Sequence, residues 1–192
     1  MEKSMERQYG FYFDSDRCVQ CHACEVACKS WNELELGVKW RRVAESWAGK
    51  FPEVRNKTVS LSCMHCAQPA CVEICPAKAI SKRPEDGIVV ADQAKCTGCR
   101  SCAAACPFHI PQYGRDGKMQ KCSFCIPRLE QGKQPSCAAT CPGEALKCGP
   151  LGTLETSAKR PTQRLSGGTS PSFLISGRLT IPEVLEMLGS KI

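Results

Sequence analysis

No stretch of this chain approaches the roughly 18 consecutive apolar residues that mark a membrane-crossing helix, and the expectation is that any attachment to a membrane comes through a partner. Aromatic residues are scarce, at 6% of 192. The apolar fraction is 42%, but it counts all 17 cysteines. Without them the material for an oily core is thin, and something other than side-chain burial has to hold the fold together. The amino terminus, "MEKSMERQYGFYFD", has no apolar h-region and no cleavage site, which predicts that the chain carries no export signal of its own. Arg41-Arg42 is a twin arginine far inside the chain and is set aside as a targeting signal. Location stays open: the expectation is a soluble chain, either cytoplasmic or held at a membrane by a partner, and able to be co-exported with a signal-bearing one.

What the chain has in excess is cysteine, and the excess is ordered. Sixteen of the seventeen fall into four groups: Cys18, Cys21, Cys24 and Cys28; Cys63, Cys66, Cys71 and Cys75; Cys96, Cys99, Cys102 and Cys106; Cys122, Cys125, Cys137 and Cys141. Every group begins C-x2-C and ends C-x3-C. The last three end in Cys-Pro, at Pro76, Pro107 and Pro142, while the first has Lys29 in that place.

Disulfides are excluded first. A secreted scaffold spreads its cysteines so that bridges close loops, whereas these are bunched at spacings that orient near neighbours badly for S–S bonding. Zinc takes four ligands, commonly two C-x2-C pairs across a spacer. The fourth group alone could make such a site, but the first and third could not easily do so. C-x2-C-x2-C-x3-C is the bacterial ferredoxin run, in which three sulfurs on one tight loop cap three irons of a cube and the fourth ligates the neighbouring cluster. In "CTGCRSCAAACP" the small Ala103, Ala104 and Ala105 let a cluster approach the backbone. Gly98 permits the sharp loop, and Pro107 stops the short helix. Thiol catalysis has no support, because no cysteine stands apart beside a base.

The formal charge of +7 invites a nucleic-acid reading, but only if the thiols are neutral. Sixteen thiolates around four cores of about +2 each contribute about −8, which brings the loaded protein near −1. The basic excess therefore reads as compensation for anionic clusters, and no nucleic-acid partner is expected.

Each group sits in a strand–loop–helix setting. "YGFYFDSDRC" and "DGIVVADQAKC" read as a strand and turn before a cysteine loop, and "CEVACKSW" and "CAAACP" as short helices. "AISKRPEDGIVV" reads as a hairpin turning at Pro84-Glu85-Asp86-Gly87, and "YGRDGKMQKC" repeats the device at Asp116-Gly117. Exchange of fourth ligands requires the groups to pair. The second and third are close and joined by the hairpin, which leaves the first to pair with the fourth; sequential pairing also satisfies the spacing. Residues 30–62 hold Trp31, Trp40 and Trp47 and no cysteine, expected to pack around the core, with a docking surface as the alternative. Beyond 151, "RLSGGTSPSF" reads as a flexible connection. "TIPEVLEMLGSKI" reads as a short amphipathic helix, with a capping box at Thr180 and Glu183, apolar positions Ile181, Val184, Leu185 and Leu188, and a stop at Gly189.

"GFYFDSDRCVQCHACEVACK", "LSCMHCAQPACVEICP", "CTGCRSCAAACPF" and "KCSFCIPRLEQGKQPSCAATCP" together resemble the iron–sulfur subunits of the dimethyl sulfoxide reductase family. The nearest in kind are the electron-transfer subunits of dimethyl sulfoxide, thiosulfate and polysulfide reductases. The resemblance spans roughly residues 8–150 and leaves the tail unplaced. It implies an α+β fold: two ferredoxin-like modules with short strands, short helices and many loops, plus a cysteine-free insert and a C-terminal tail. The segments would be 1–29, paired with 108–150 as first and fourth cluster-binding segments, the Trp-containing insert 30–62, the inner two-cluster module 63–107, and the tail 151–192. It implies four 4Fe–4S clusters and favours the nested pairing. Cluster one would take Cys18, Cys21, Cys24 and Cys141, and cluster two Cys122, Cys125, Cys137 and Cys28. Cluster three would take Cys63, Cys66, Cys71 and Cys106, and cluster four Cys96, Cys99, Cys102 and Cys75. The implied partners are a molybdenum or tungsten bis-pterin catalytic subunit and a quinone-reactive integral membrane subunit. The role would be non-catalytic relay of single electrons, with a free-standing polyferredoxin as the alternative.

The remaining residues draw plainer expectations. His22, His65 and His109 lie beside cysteine loops and are read as hydrogen-bonding or solvent-facing. Cys148 is read as a buried free cysteine, and Met64 and Phe108 as shielding. Lys29, Lys78, Arg100 and Lys121 are read as offsetting cluster charge.

Overall fold

The computed structural model describes residues 8–165 and 168–189. Small sheets and short helices alternate along it. Strand β1, Tyr9–Asp14, has the sequence YGFYFD, and alternation sends its side chains to opposite faces. Phe11 and Phe13 enter the main core, while Tyr12 packs on the other face with Leu151, Leu154 and Leu174. With both faces covered, the strand is buried from Gly10 to Asp14 rather than alternately exposed.

Its neighbours come from far along the chain. Strand β8, Leu146–Pro150, runs antiparallel on one side. Strand β10, Phe173–Ser176, runs parallel on the other, with Phe11 opposite Phe173 and Phe13 opposite Ile175. The two-residue β9, Gln163–Arg164, closes the sheet in the order β8-β1-β10-β9. The expected flexible connection is therefore corrected. Leu165, Ser172 and all of β10 are buried, because β10 seals one side of β1; Ser166 and Gly167 of that stretch lie outside the described residues. Helix α6, Leu151–Thr156, covers the Tyr12 face.

The insert folds as a hairpin, β2 Arg41–Ala48 against β3 Arg55–Ser62, with Arg41 opposite Ser62. Its tryptophans do not share one role. Trp40 packs against the main core, but Trp47 is 63% exposed and Trp31 45%. Helix α7, Ile181–Gly189, packs on β2, and the Thr180 N–H donates to Glu183 Oε2 at 2.9 Å, the acidic half of the expected capping box. Its buried face is Val184, Met187 and Leu188, while Leu185 points outward. The two hairpins read from turn residues are present: β4 Ile80–Lys82 with β5 Val89–Ala91, and β6 Gln112–Tyr113 with β7 Met119–Gln120. Among the described residues, no helix is long and apolar enough to cross a membrane.

Candidate metal-cluster sites

Five short helices carry or flank the cysteines. Cys24 and Cys28 lie one turn apart on α1, Ala23–Trp31, and Cys137 is on α5, Ser136–Ala139, which packs against it. Cys71 is on α2, Ala70–Glu73, with Cys75 just beyond its end. Cys102 is on α3, Ser101–Ala105, with Cys106 as its last cap, and α2 packs on α3. Cys125 caps α4, Ile126–Leu129, from the left-handed region, as His22 caps α1 and Arg100 caps α3. A left-handed residue between right-handed ones turns successive N–H groups toward one point, a concavity suited to anionic sulfur. Gly98 has φ +72°, and a Cβ there would lie 2.8 Å from Gly117 O, so the loop before α3 accepts no larger residue.

The thiols gather in neighbourhoods that cross the sequence groups. Burial pushes the Cys18 thiol up in pKa, and Cys24, Cys141 and Cys21 add to it. Cys28 is pushed up to about 12 by burial, with Cys137 and Cys125 acting in the same sense. Burial also raises Cys71 to about 12 and Cys66 to about 11, and each feels Cys63 and Cys106. Cys102 is raised by burial, then by Cys96 and Cys99. Cys75, Cys96, Cys99 and Cys102 together line an apolar hollow of about 370 Å³, mouth included. Among the described residues, no three His, Cys, Asp or Glu side chains converge on a single-ion site.

These surroundings fit iron–sulfur clusters by the chemistry of their donors. Buried thiols stay protonated without metal, whereas a coordinated thiol is deprotonated outright, and N–H or O–H groups already stand beside the sulfurs. The N–H groups of Phe124, Ala79 and Met119 donate to the Sγ atoms of Cys122, Cys75 and Cys96 at 3.3, 3.3 and 3.4 Å. Tyr113 Oη lies 3.4 Å from Cys102 Sγ, Ser60 Oγ 3.3 Å from Cys24 Sγ, and Asn32 Nδ2 3.7 Å from Cys28 Sγ. The Cys99 thiol, fully exposed, is lowered by the Ser101 N–H and hydroxyl.

Cations are buried here too. Arg41 and Lys121 are both buried, and neither makes a salt bridge among the described residues. Lys121 Nζ donates to Val89 O and to Cys122 O and draws the Cys71 thiol down against burial. His65 is buried and held neutral, first by burial and then by Lys121 and Arg41. Its Nδ1 accepts from the Val89 N–H at 3.0 Å, and Nε2 has no partner among the described residues. Such a buried donor fits an acceptor brought in by a bound group.

Several expectations change at this level. Lys29 Nζ donates to Glu35 O at 2.7 Å and Val38 O at 3.1 Å, tying down the loop after α1. Lys78 is exposed, and Arg100 lies over the Tyr113 ring at 4.9 Å. Lys121 does sit inside, while Met64 and Phe108 are buried in the main core. Cys148 is only half-buried, on β8 opposite Phe11, and burial raises its thiol to about 12. The sequence reading missed Arg41, Ser60, Thr169 and Tyr113, polar groups whose importance comes from tertiary neighbours and not from local sequence. Thr169 gives no local signal at all; its buried hydroxyl lies beside Cys66.

Residues 54–151 match the family model described as a 4Fe-4S dicluster domain. The chain is 42% identical over 187 residues to the probable anaerobic dimethyl sulfoxide reductase chain YnfG of Escherichia coli, covering 89% of each chain. It is 45% identical over 159 residues to a chain of the anaerobic dimethyl sulfoxide reductase of the same organism, covering 78% of this protein and 77% of that one. The formate dehydrogenase iron-sulfur subunit of Wolinella succinogenes is 36% identical over 186 residues, with 83% and 90% covered.

Proposed function

The chain belongs to the 4Fe-4S dicluster family, among the iron–sulfur electron-transfer subunits of the dimethyl sulfoxide reductase type, and from that premise we propose that it relays single electrons through four 4Fe–4S clusters. The ends of the relay would meet a molybdenum or tungsten pterin catalytic subunit and a quinone-linked membrane subunit or another redox partner. In this reading the chain makes and breaks no substrate bond.

Four nested ligand sets in two ferredoxin-like modules are proposed. Cys18, Cys21, Cys24 and Cys141 hold the first cluster; Cys28, Cys122, Cys125 and Cys137 the second. Cys63, Cys66, Cys71 and Cys106 hold the third; Cys75, Cys96, Cys99 and Cys102 the fourth. When bound, the clusters supply one-electron redox chemistry, at potentials governed by charge, solvent exposure and hydrogen bonds to sulfur. The chain's residues provide the rest. Cys24 is within electrostatic reach of Cys137, which supports adjacency of the first and second sets, and Cys122 is within reach of Cys63, which supports adjacency of the second and third. The packing of α2 on α3 supports exchange of Cys75 and Cys106 between the third and fourth.

One observation carries the proposal. Of the seventeen cysteines, only Cys21 and Cys99 are exposed, and they fall in the first and last sets. A relay needs its terminal centres near the surface and its middle ones shielded from solvent, and the second set is wholly buried. Anaerobic purification with native neighbours and mass analysis of the complex tests the role. Recovery with a large pterin-containing subunit is expected; recovery alone at full iron load would favour a free-standing carrier. Cys102→Ala tests the ligand sets: the EPR signal of one oxidised three-iron centre should appear with the other three clusters intact, and simultaneous loss of all four would contradict separate sites.

A further inference from the structure

Arg41 is 1% exposed, at the start of β2. Burying a guanidinium is unfavourable unless a counter-charge compensates it, and among the described residues it makes no carboxylate pair. Its hydrogen bonds are to neutral oxygens: Nη1 to Ser60 O at 3.3 Å and Ser60 Oγ at 3.1 Å, and Nη2 to Ser62 Oγ at 2.8 Å. The ring of Phe11 lies under it at 4.4 Å, and its Nε has no partner among the described residues. Among the described residues, the neighbours of Arg41 able to carry negative charge are cysteine sulfurs. Arg41 lies within electrostatic reach of the sulfurs of Cys137, Cys24, Cys122 and Cys28, which become anionic when they ligate a metal. Strand β2, which begins at Arg41, packs on α1, the helix that carries Cys24 and Cys28. Ser60 extends the reach of Arg41. Arginine can only donate, so Ser60 Oγ accepts from Arg41 and its own proton is free for Cys24 Sγ, 3.3 Å away.

We infer that Arg41 is the fixed counter-cation shared by the first two clusters, that it sets their reduction potentials, and that Ser60 passes part of this influence to the first. The inference rests on the ligand sets proposed above. Each electron added makes a cluster more negative, and a desolvated cation close to its sulfur ligands favours that reduced state. Arg41 is thus a positioning and tuning residue between the first set and the second, and none of the sulfurs named beside it belongs to the fourth set.

EPR-monitored potentiometric titration of the full chain, purified anaerobically with whatever partners accompany it, tests this alongside iron analysis. In Arg41→Gln two of the four midpoint potentials should fall. At a fixed ambient potential the reduced-to-oxidised ratio of those two should drop about tenfold or more, which is about 59 mV for a one-electron couple, while the fourth cluster stays unmoved. Arg41→Lys should stay closer to wild type than Arg41→Gln, and Ser60→Ala should lower one potential alone by a smaller amount. Full iron with unmoved potentials in Arg41→Gln, or an equal shift in all four, overturns the inference. If Arg41→Gln does not hold iron, Ser60→Ala decides: a fall confined to one cluster supports the inference, and no shift overturns it. Failure of the underlying reading looks different, since wild-type chain would then show no iron–sulfur signal to titrate.

Discussion

Cys102 and Cys137 occupy the same local position, second residue of a short helix, yet their surroundings differ. Cys102 faces a hollow whose walls come from sequence neighbours, the β4–β5 and β6–β7 hairpins and α3, and which shares Cys99 with solvent. Cys137 neighbours Cys28, Cys122 and Cys125, all buried, under a core assembled from β1, β8, β10 and the β2–β3 hairpin. One cradle is built locally from tight turns; the other is closed by strands that meet across more than 160 positions, as Phe11 and Phe173 do. The lesson is that a C-x2-C start and a C-x3-C end yield either an open cradle or a sealed one, depending on which distant segments cover it.

The contrast can be broken most forcefully by removing the distant cover. Deleting residues 169–192 takes away β10, α7 and the Thr169 and Ser172 hydroxyls. The first and second sets should then lose their iron while the fourth keeps its cluster, as read by iron analysis and EPR; retention everywhere, or loss everywhere, would erase the distinction. Next in size is Phe11→Ala. Phe11 stacks on Phe124 at 4.5 Å and is fully buried, so truncation should lower stability by about 3–5 kcal/mol in denaturant titration. Ile80→Ala, in the smaller cluster beside the fourth set, should fall near the low end of the roughly 2–5 kcal/mol range for such changes.

The locally built half was legible in the sequence because its information is local. Pro84 to Gly87 and Asp116-Gly117 announce their hairpins, and C-x2-C spacing announces its loops. The covering half was not. "PSF" after two glycines reads as a linker, and only burial against β1 makes Phe173 a strand residue. The β2–β3 hairpin has no tight-turn signature, and "WRR" carries the usual mark of a solvated face although Arg41 is sealed inside. The α7 helix was visible, but counting along its period selects Leu185 as a buried residue in place of Met187, because its contact surface is set by β2 rather than by its own periodicity. The nested neighbourhoods of thiols had no unique reading in spacing alone.

Two smaller tests sharpen the comparison. Tyr113→Phe removes the hydroxyl beside Cys102 Sγ. A single neutral hydrogen bond is worth about 1 kcal/mol, so the fourth cluster's potential should fall by no more than that amount while the first two stay fixed, in EPR titration. The smallest effect is at the surface. His22 is raised in pKa by Glu25 and then Glu45, with ring contacts of 2.8 and 3.0 Å. A raised histidine contributes stability that is fully present below its unfolded value of about 6.5 and is lost as pH rises through its folded value. His22→Gln should therefore flatten a shallow decline in thermal stability above about pH 6.5, without altering iron content.

The account stands or falls on metal stoichiometry. Iron and acid-labile sulfide measured per chain, on anaerobically purified full-length protein, should each come to about sixteen. Values near eight or below, or zinc in place of iron, would contradict four cubane clusters held by these sixteen cysteines.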